Sequence, residues 1–302
     1  MSAIAGGGLM RILRWILWGF GGLALLAAAV LAWIYAASEA HYRSFAAPPP
    51  FVHPIPEDAA AIAWGEHIAR TRGCRGCHGE ALEGEIMGGM VVTPNLPALA
   101  RRVSPAALEA AIRHGVGHNG RALYSMPAYN FLHLTDADTA ALIAYLRAAP
   151  VSTAAPAGAL RPWHERWPAE VLMRLAIARG EDAAMPAWLH HVPPLREQAN
   201  PDPRIAQGEY LAMTSCNECH GFNLRGFQPW AGESAPDLIV LAAYSEQDFT
   251  RLMREGAPIS GAQLEMMGPV ARGRFAHWSD EEVAALYAYL SRLAAEAVAQ
   301  EP

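Results

Sequence analysis

Charge is scarce in this chain: Asp, Glu, Lys and Arg make up 17% of its 302 residues. No charge at all falls between Trp15 and Ala37, where WILWGFGGLALLAAAVLAWIYAA runs for 23 residues. As a helix this stretch covers about 30 Å, the thickness of a bilayer's hydrocarbon layer. Arg11 and Arg14 precede it and the first acidic residue is Glu39, so the positive-inside bias predicts a cytoplasmic N-terminus with the rest of the chain exported. Ser38-Glu39-Ala40 would suit signal cleavage, but the apolar run is longer than the ~7–15 residues of a signal peptide's apolar core. A retained single-pass anchor is the expectation.

Basic residues are in deficit elsewhere. Without the two anchor arginines, 21 basic residues face 29 acidic ones, a net charge of −8. Such a surface excludes nucleic acid and anionic lipid as natural partners and favours a basic docking protein. Alternating apolar and polar strand patterns are also missing, which predicts an all-α fold. Cysteine is limited to four residues, and none is left over from the two motifs described below.

What the chain does contain is a repeat. GEHIARTRGCRGCHG (65–79) matches GEYLAMTSCNECHG (208–221), one residue shorter. TPNLPAL (93–99) matches APDLIVL, IRHG (112–115) matches MREG, and FLHLTDADTAALIAYLR (131–147) matches FAHWSDEEVAALYAYLS. The offset stays between 141 and 144 throughout, so a whole domain is duplicated. Helix signals recur in both copies. Ser104-Pro105 and Ser245-x-x-Asp248 open one helix, which Gly115 and Gly256 close. Thr135-x-x-Asp138 and Ser279-x-x-Glu282 open the last helix, whose apolar face holds Leu142, Tyr145 and Leu146, or Leu286, Tyr289 and Leu290.

These signals divide the chain into an anchor (1–37), a proline-rich semi-rigid tether (38–56), a first domain (57–149), an inter-domain segment (150–203) and a second domain (204–297). The inter-domain segment is long for a linker. It predicts a helix after Pro168, packed between or along the domains, with Trp163, Trp167 and Trp188 as core anchors.

All four cysteines lie in Cys74-Arg75-Gly76-Cys77-His78 and Cys216-Asn217-Glu218-Cys219-His220. C-x-x-C-H is the attachment signature of haem c. Two thiols three positions apart reach both vinyl groups of one porphyrin, and the following imidazole falls under the iron. A thioredoxin-like redox site would need a βαβ context, and a zinc site would need a fourth ligand at each Cys₂His set. The first is missing and the second is a further requirement, whereas the haem motif is complete in both copies, so two covalent haems c are expected.

The iron's second axial position predicts a methionine. Met126 lies 48 residues after His78, and Met267 lies 47 after His220. Met266 is the rival at the second site, whereas Met87 and Met90 are too near His78 to cross the haem. Pro94 and Pro236 each follow their histidine by 16 residues, and their carbonyls are placed to accept the imidazole's second N–H.

The two C-x-x-C-H motifs, the turns Thr93-Pro94-Asn95-Leu96 and Ala235-Pro236-Asp237-Leu238, and Met126-Pro127 together resemble class I cytochromes c. The tandem dihaem form of bacterial dehydrogenases and respiratory chains is the nearest likeness. The resemblance covers residues 57–149 and 204–297 and departs from the family at Met267, which is followed by Gly268 in place of proline. It implies crossing first and last helices in each domain, a proline turn supporting the axial His78 or His220, and a methionine loop on the far face. It also implies an electron carrier, not an enzyme, anchored in the bacterial inner membrane with its haem domains periplasmic. Its partners would be a quinone-linked or periplasmic dehydrogenase as donor and a terminal oxidase as acceptor, possible fellow subunits of one complex. The competing class is a dihaem enzyme, such as a peroxidase or a thiosulfate-oxidising dehydrogenase. That class requires an open or unusual sixth position, with His114, His118 or His133 as replacements for Met126, and no fifth cysteine exists to supply a thiolate.

Intact-mass measurement of the purified protein should find the N-terminal segment retained. A mature chain beginning near residue 41 would remove the anchor.

Overall fold

The computed structural model describes residues 5–46, 48–181, 185–197, 199–200, 202–226 and 234–300. Ala47 of the expected tether, 182–184, 198 and Pro201 of the inter-domain segment and 227–233 of the second domain lie outside these. Two compact units form, one from residues 1–45 with 161–183 and the other from 46–160 with 184–302. The first element, α1 (Ala5–Tyr42), contains the whole uncharged stretch and continues beyond it. Met10–Tyr42 is long and apolar enough to cross a membrane, with a mean hydropathy of 2.0.

The first domain opens with α2 (Ala59–Thr71), whose Asp58 carboxylate accepts from the Ala61 N–H at 2.9 Å. The short α3 (Cys74–His78) follows, and then an antiparallel hairpin of β1 (Ile86–Met87) and β2 (Val91–Val92) with Ile86 opposite Val92. Two-residue strands are too brief to leave an alternating pattern, which is why the sequence shows none. Next come α4 (Leu96–Ala100), capped by Asn95, and α5 (Pro105–His114), capped by Ser104 and closed by Gly115 at φ +66°. The domain ends with α6 (Asp136–Ala148), where Thr135 accepts from the Asp138 N–H at 3.0 Å.

Helix α2 crosses α6 at Gly65, where even a methyl carbon would lie 2.0 Å from the Ala141 carbonyl oxygen. The buried side chains Ile68, Leu108, Phe131, Leu142, Ile143 and Leu146 fill the space around the crossing.

The inter-domain helix differs from expectation. It is α7 (Trp163–Ala178), which starts before Pro168 and carries that proline inside it. Its partner is α1: Arg174 donates to Ser38 Oγ at 3.2 Å and lies 4.4 Å from the centre of the Tyr35 ring. Ser38, Ile34, Tyr42 and Ile177 are buried there. Trp163 and Trp167 are exposed, because they stand in the first turns of α7 and its buried residue, Ile177, lies in the last. Only Trp188, on α8 (Met185–Trp188), meets the core as expected, beside Tyr129 and Phe222.

The second domain repeats the plan with α9 (Pro203–Met213), α10 (Asn217–His220), α11 (Glu246–Glu255), α12 (Met267–Gly273) and α13 (Asp280–Gln300). Here α9 crosses α13 at Gly208, whose added methyl would lie 2.1 Å from the Ala285 carbonyl oxygen. Ser279 and Glu282 form a full reciprocal capping box: the Ser279 N–H donates to Glu282 at 2.8 Å and the Glu282 N–H to Ser279 at 3.1 Å. At Ser245 the shorter Asp248 takes the hydroxyl proton instead, at 2.6 Å.

The two domains pack through equivalent positions used in both directions. His67 of α2 reaches both oxygens of Glu282, at 2.9 and 3.0 Å. Tyr210, its counterpart on α9, hydrogen-bonds to Asp138, the counterpart of Glu282. Arg72 is fully buried between the domains, its guanidinium 5.4 Å from the centre of the Trp278 ring.

Overpacking at the crossings should be costly: Gly208→Ala is expected to lose about 1–3 kcal/mol in denaturant unfolding of the haem-loaded protein. Burial pushes the Glu282 carboxyl up, but hydrogen bonds from His67 and the Ser279 N–H, with Arg72 nearby, hold it below the ordinary carboxylate value. A carboxylate held low stabilises the fold above its unfolded-state pKa, and that contribution fades as pH falls through the folded value. Unfolding curves between neutrality and about pH 3 should therefore show Glu282→Gln losing less stability on acidification than the unmodified chain.

Candidate haem attachment sites

Each C-x-x-C-H follows directly from the helix that crosses at glycine. Cys74, Cys77 and His78 occupy α3, entered through Gly73 at φ +85° and left through Gly79 at φ +83°. A side chain at Gly79 would collide with the Glu83 carboxylate, 2.4 Å from the added carbon. Cys216, Cys219 and His220 repeat this at α10, left through Gly221 at φ +78°.

Both proline turns stand where the spacing expects them. His78 Nδ1 lies 3.0 Å from the Pro94 carbonyl oxygen, and His220 Nδ1 lies 2.9 Å from that of Pro236. A carbonyl only accepts, so Nδ1 carries the proton and Nε2 keeps its lone pair for a metal. Burial lowers the pKa of both imidazoles, against the raising effect of these hydrogen bonds. The neutral, ligating form is therefore favoured. Burial also pushes Cys74 up to about 11 and Cys216 to about 12, and raises Cys77 and Cys219. None of the four is paired in a disulfide.

The turns are held by a set of bonds that the motifs do not announce. In the first domain the Gly84 N–H donates to the His78 carbonyl at 2.7 Å and the Leu96 N–H to that of Leu82 at 2.9 Å. In the second, Gly226 and Leu238 do the same toward His220 and Leu224, at 3.0 Å each. Leu82 and Leu224 are buried with φ near +60°, a left-handed conformation that L residues other than Asn and Asp seldom adopt. Their common offset, four residues after each histidine, was the available signal. Thr93 adds a further clamp, donating to the Cys77 carbonyl at 2.7 Å and accepting the Glu85 N–H at 2.8 Å.

Met126 is half-buried against the first core, in the loop before the last turn. Met267 packs against the second core at the start of α12, while neighbouring Met266 is 45% exposed. Of the rival histidines, His114 is hydrogen-bonded to buried Glu109 at 3.0 Å and His133 donates to the Pro193 carbonyl at 2.8 Å. Among the described residues no three His, Cys, Asp or Glu side chains converge as metal ligands.

Residues 60–146 match the family described as cytochrome c oxidase, cbb3-type, subunit III, and residues 205–294 match the cytochrome c family. Both domains belong to the cytochrome c family. The prosthetic group of such domains is covalently bound haem c, and the paired thiols and the histidine with a free Nε2 suit it.

This cytochrome is 28% identical over 283 residues to the gluconate 2-dehydrogenase cytochrome c subunit of Pantoea cypripedii, covering 80% of the chain and 61% of that relative. It is 26% identical to the alcohol dehydrogenase (quinone) cytochrome c subunit of Gluconacetobacter polyoxogenes, covering 78% of the chain and 56% of that relative. Against the alcohol dehydrogenase (quinone) cytochrome c subunit of Gluconobacter oxydans it is 27% identical over 80% of the chain and 57% of that relative. The chain thus spans less than two thirds of the length of each of these relatives.

The clamp at Thr93 gives a direct test. Thr93→Val should leave the second domain's haem content unchanged and lower that of the first, measured by absorbance per polypeptide of the purified chain.

Proposed function

We propose that this protein is a membrane-anchored dihaem cytochrome c that passes electrons from a quinone-linked or periplasmic dehydrogenase to an acceptor such as a terminal oxidase. The duplicated C-x-x-C-H, each with its histidine held by a proline carbonyl, carries the reading. Bound haem c supplies a one-electron couple between ferric and ferrous iron. Cys74 and Cys77, with Cys216 and Cys219, would bond the two porphyrins. His78 and His220 would ligate the irons through Nε2. Met126 and Met267 would occupy the opposite positions, a choice supported by Met267 lying against the core and Met266 facing outward.

Two closed irons fit a carrier, and two of the three histidines that could replace Met126, His114 and His133, are engaged elsewhere, which weighs against the enzyme reading. The relatives named as dehydrogenase cytochrome c subunits support membership of a dehydrogenase complex. Helix α1 would hold the chain in the bacterial inner membrane, with Arg11 and Arg14 on the cytoplasmic side and the haem domains in the periplasm.

The pyridine haemochrome assay should count two haems c per chain, and the reduced protein should bind carbon monoxide weakly and slowly at neutral pH. Met126→Ala and Met267→Ala should each open one rapidly binding site, and Met266→Ala none. Rapid binding by the unmodified chain, or peroxide turnover with a reduced donor, would overturn the carrier reading.

A further inference from the structure

The two copies treat one equivalent position differently. Asn130 precedes Phe131 in the first domain, and Arg274 precedes Phe275 in the second. The turn holding Asn130 packs on α10 of the second domain, and the turn after Arg274 packs on α2 of the first. Each domain thus places this position beside the other's attachment segment. Asn130 is neutral and fully buried; Arg274 carries a fixed charge.

Arg274 crosses the boundary. Its Nη2 donates to the Arg72 carbonyl at 2.6 Å. The guanidinium fills the space above Gly73, where an added carbon would lie 1.6 Å from Nη2. The same nitrogen is 3.9 Å from the carboxylate of Glu218, inside the second C-x-x-C-H. One side chain therefore meets the residues just before the first motif and a residue within the second. The extra residue that separates TRGC from TSC in the repeat alignment makes this possible: glycine both adopts φ +85° and leaves the guanidinium room.

We propose that Arg274 is a positioning residue that joins the two haem attachment sites and applies a single positive charge to both, raising both reduction potentials. A nearby cation disfavours the ferric state, which carries one more positive charge than the ferrous state. Arginine suits the role because it stays charged when largely buried and offers several donors in a fixed plane. The proposal rests on the two-haem reading above.

Spectroelectrochemical titration of the full-length haem-loaded protein tests it, after the pyridine haemochrome assay has counted the haems in each variant. A count other than two in the unmodified chain would refute the two-haem reading, separately from the role of Arg274. Given two haems, Arg274→Gln should lower both midpoints and Arg274→Lys should leave both close to the original. Glu218→Gln, which removes the neighbouring negative charge, should raise both, and it decides the matter if Arg274→Gln loses haem. A midpoint unmoved by Arg274→Gln, a lysine variant shifted as far as the glutamine one, or no rise in Glu218→Gln would overturn the proposal.

Discussion

In each domain the first and last helices approach until backbone meets backbone, at Gly65 against Ala141 and Gly208 against Ala285. This contact sets where the C-x-x-C-H begins, since α3 and α10 follow the crossing helix within a few residues. The histidine then lands within reach of a proline carbonyl 16 residues on. Cores built on Ile68, Leu142 and Leu146, or on Leu211, Leu286 and Leu290, keep the crossing from opening. A side chain at either glycine would thus shift the imidazole as well as loosen a helix pair.

The duplication has consequences beyond having two sites. Positions that are equivalent by descent meet across the domain boundary, with His67 on Glu282 and Tyr210 on Asp138. Glu282, which caps its own helix by accepting from the Ser279 N–H, is also one of the two acids that hold the domains together. Equivalence is broken at a few places, and those are where the copies come to differ: Arg72 against Ser215, Gly73 against a gap, and Arg274 against Asn130. A symmetric framework carries an asymmetric charge.

Much of this was legible before any coordinates. Motif spacing marks the thiols and histidines, because covalent attachment demands contiguous residues. Caps and apolar faces mark the helices, because both are local properties. The pairing of His67 with Glu282, 215 positions apart, leaves no trace in periodicity. Trp163 and Trp167 misled for a physical reason. Large aromatics are usually buried, but here α7 pairs with α1 through Arg174 and Ile177, at the end of the helix away from the tryptophans. The left-handed Leu82 and Leu224 show in the sequence only as a shared offset from their histidines, since leucine does not advertise a positive φ. The difference in burial between Met266 and Met267 is likewise invisible in a pair of adjacent identical residues.

The pairing of α7 with α1 alters what the apolar helix has to offer a bilayer. At 38 residues α1 is longer than the roughly 20 that span the hydrocarbon layer. The surplus lies toward its C-terminal end, where Ile34, Ser38 and Tyr42 are buried beside Arg174 and Ile177 of α7. That end of the helix is a pedestal clad in protein, and only the remainder is bare enough to meet lipid.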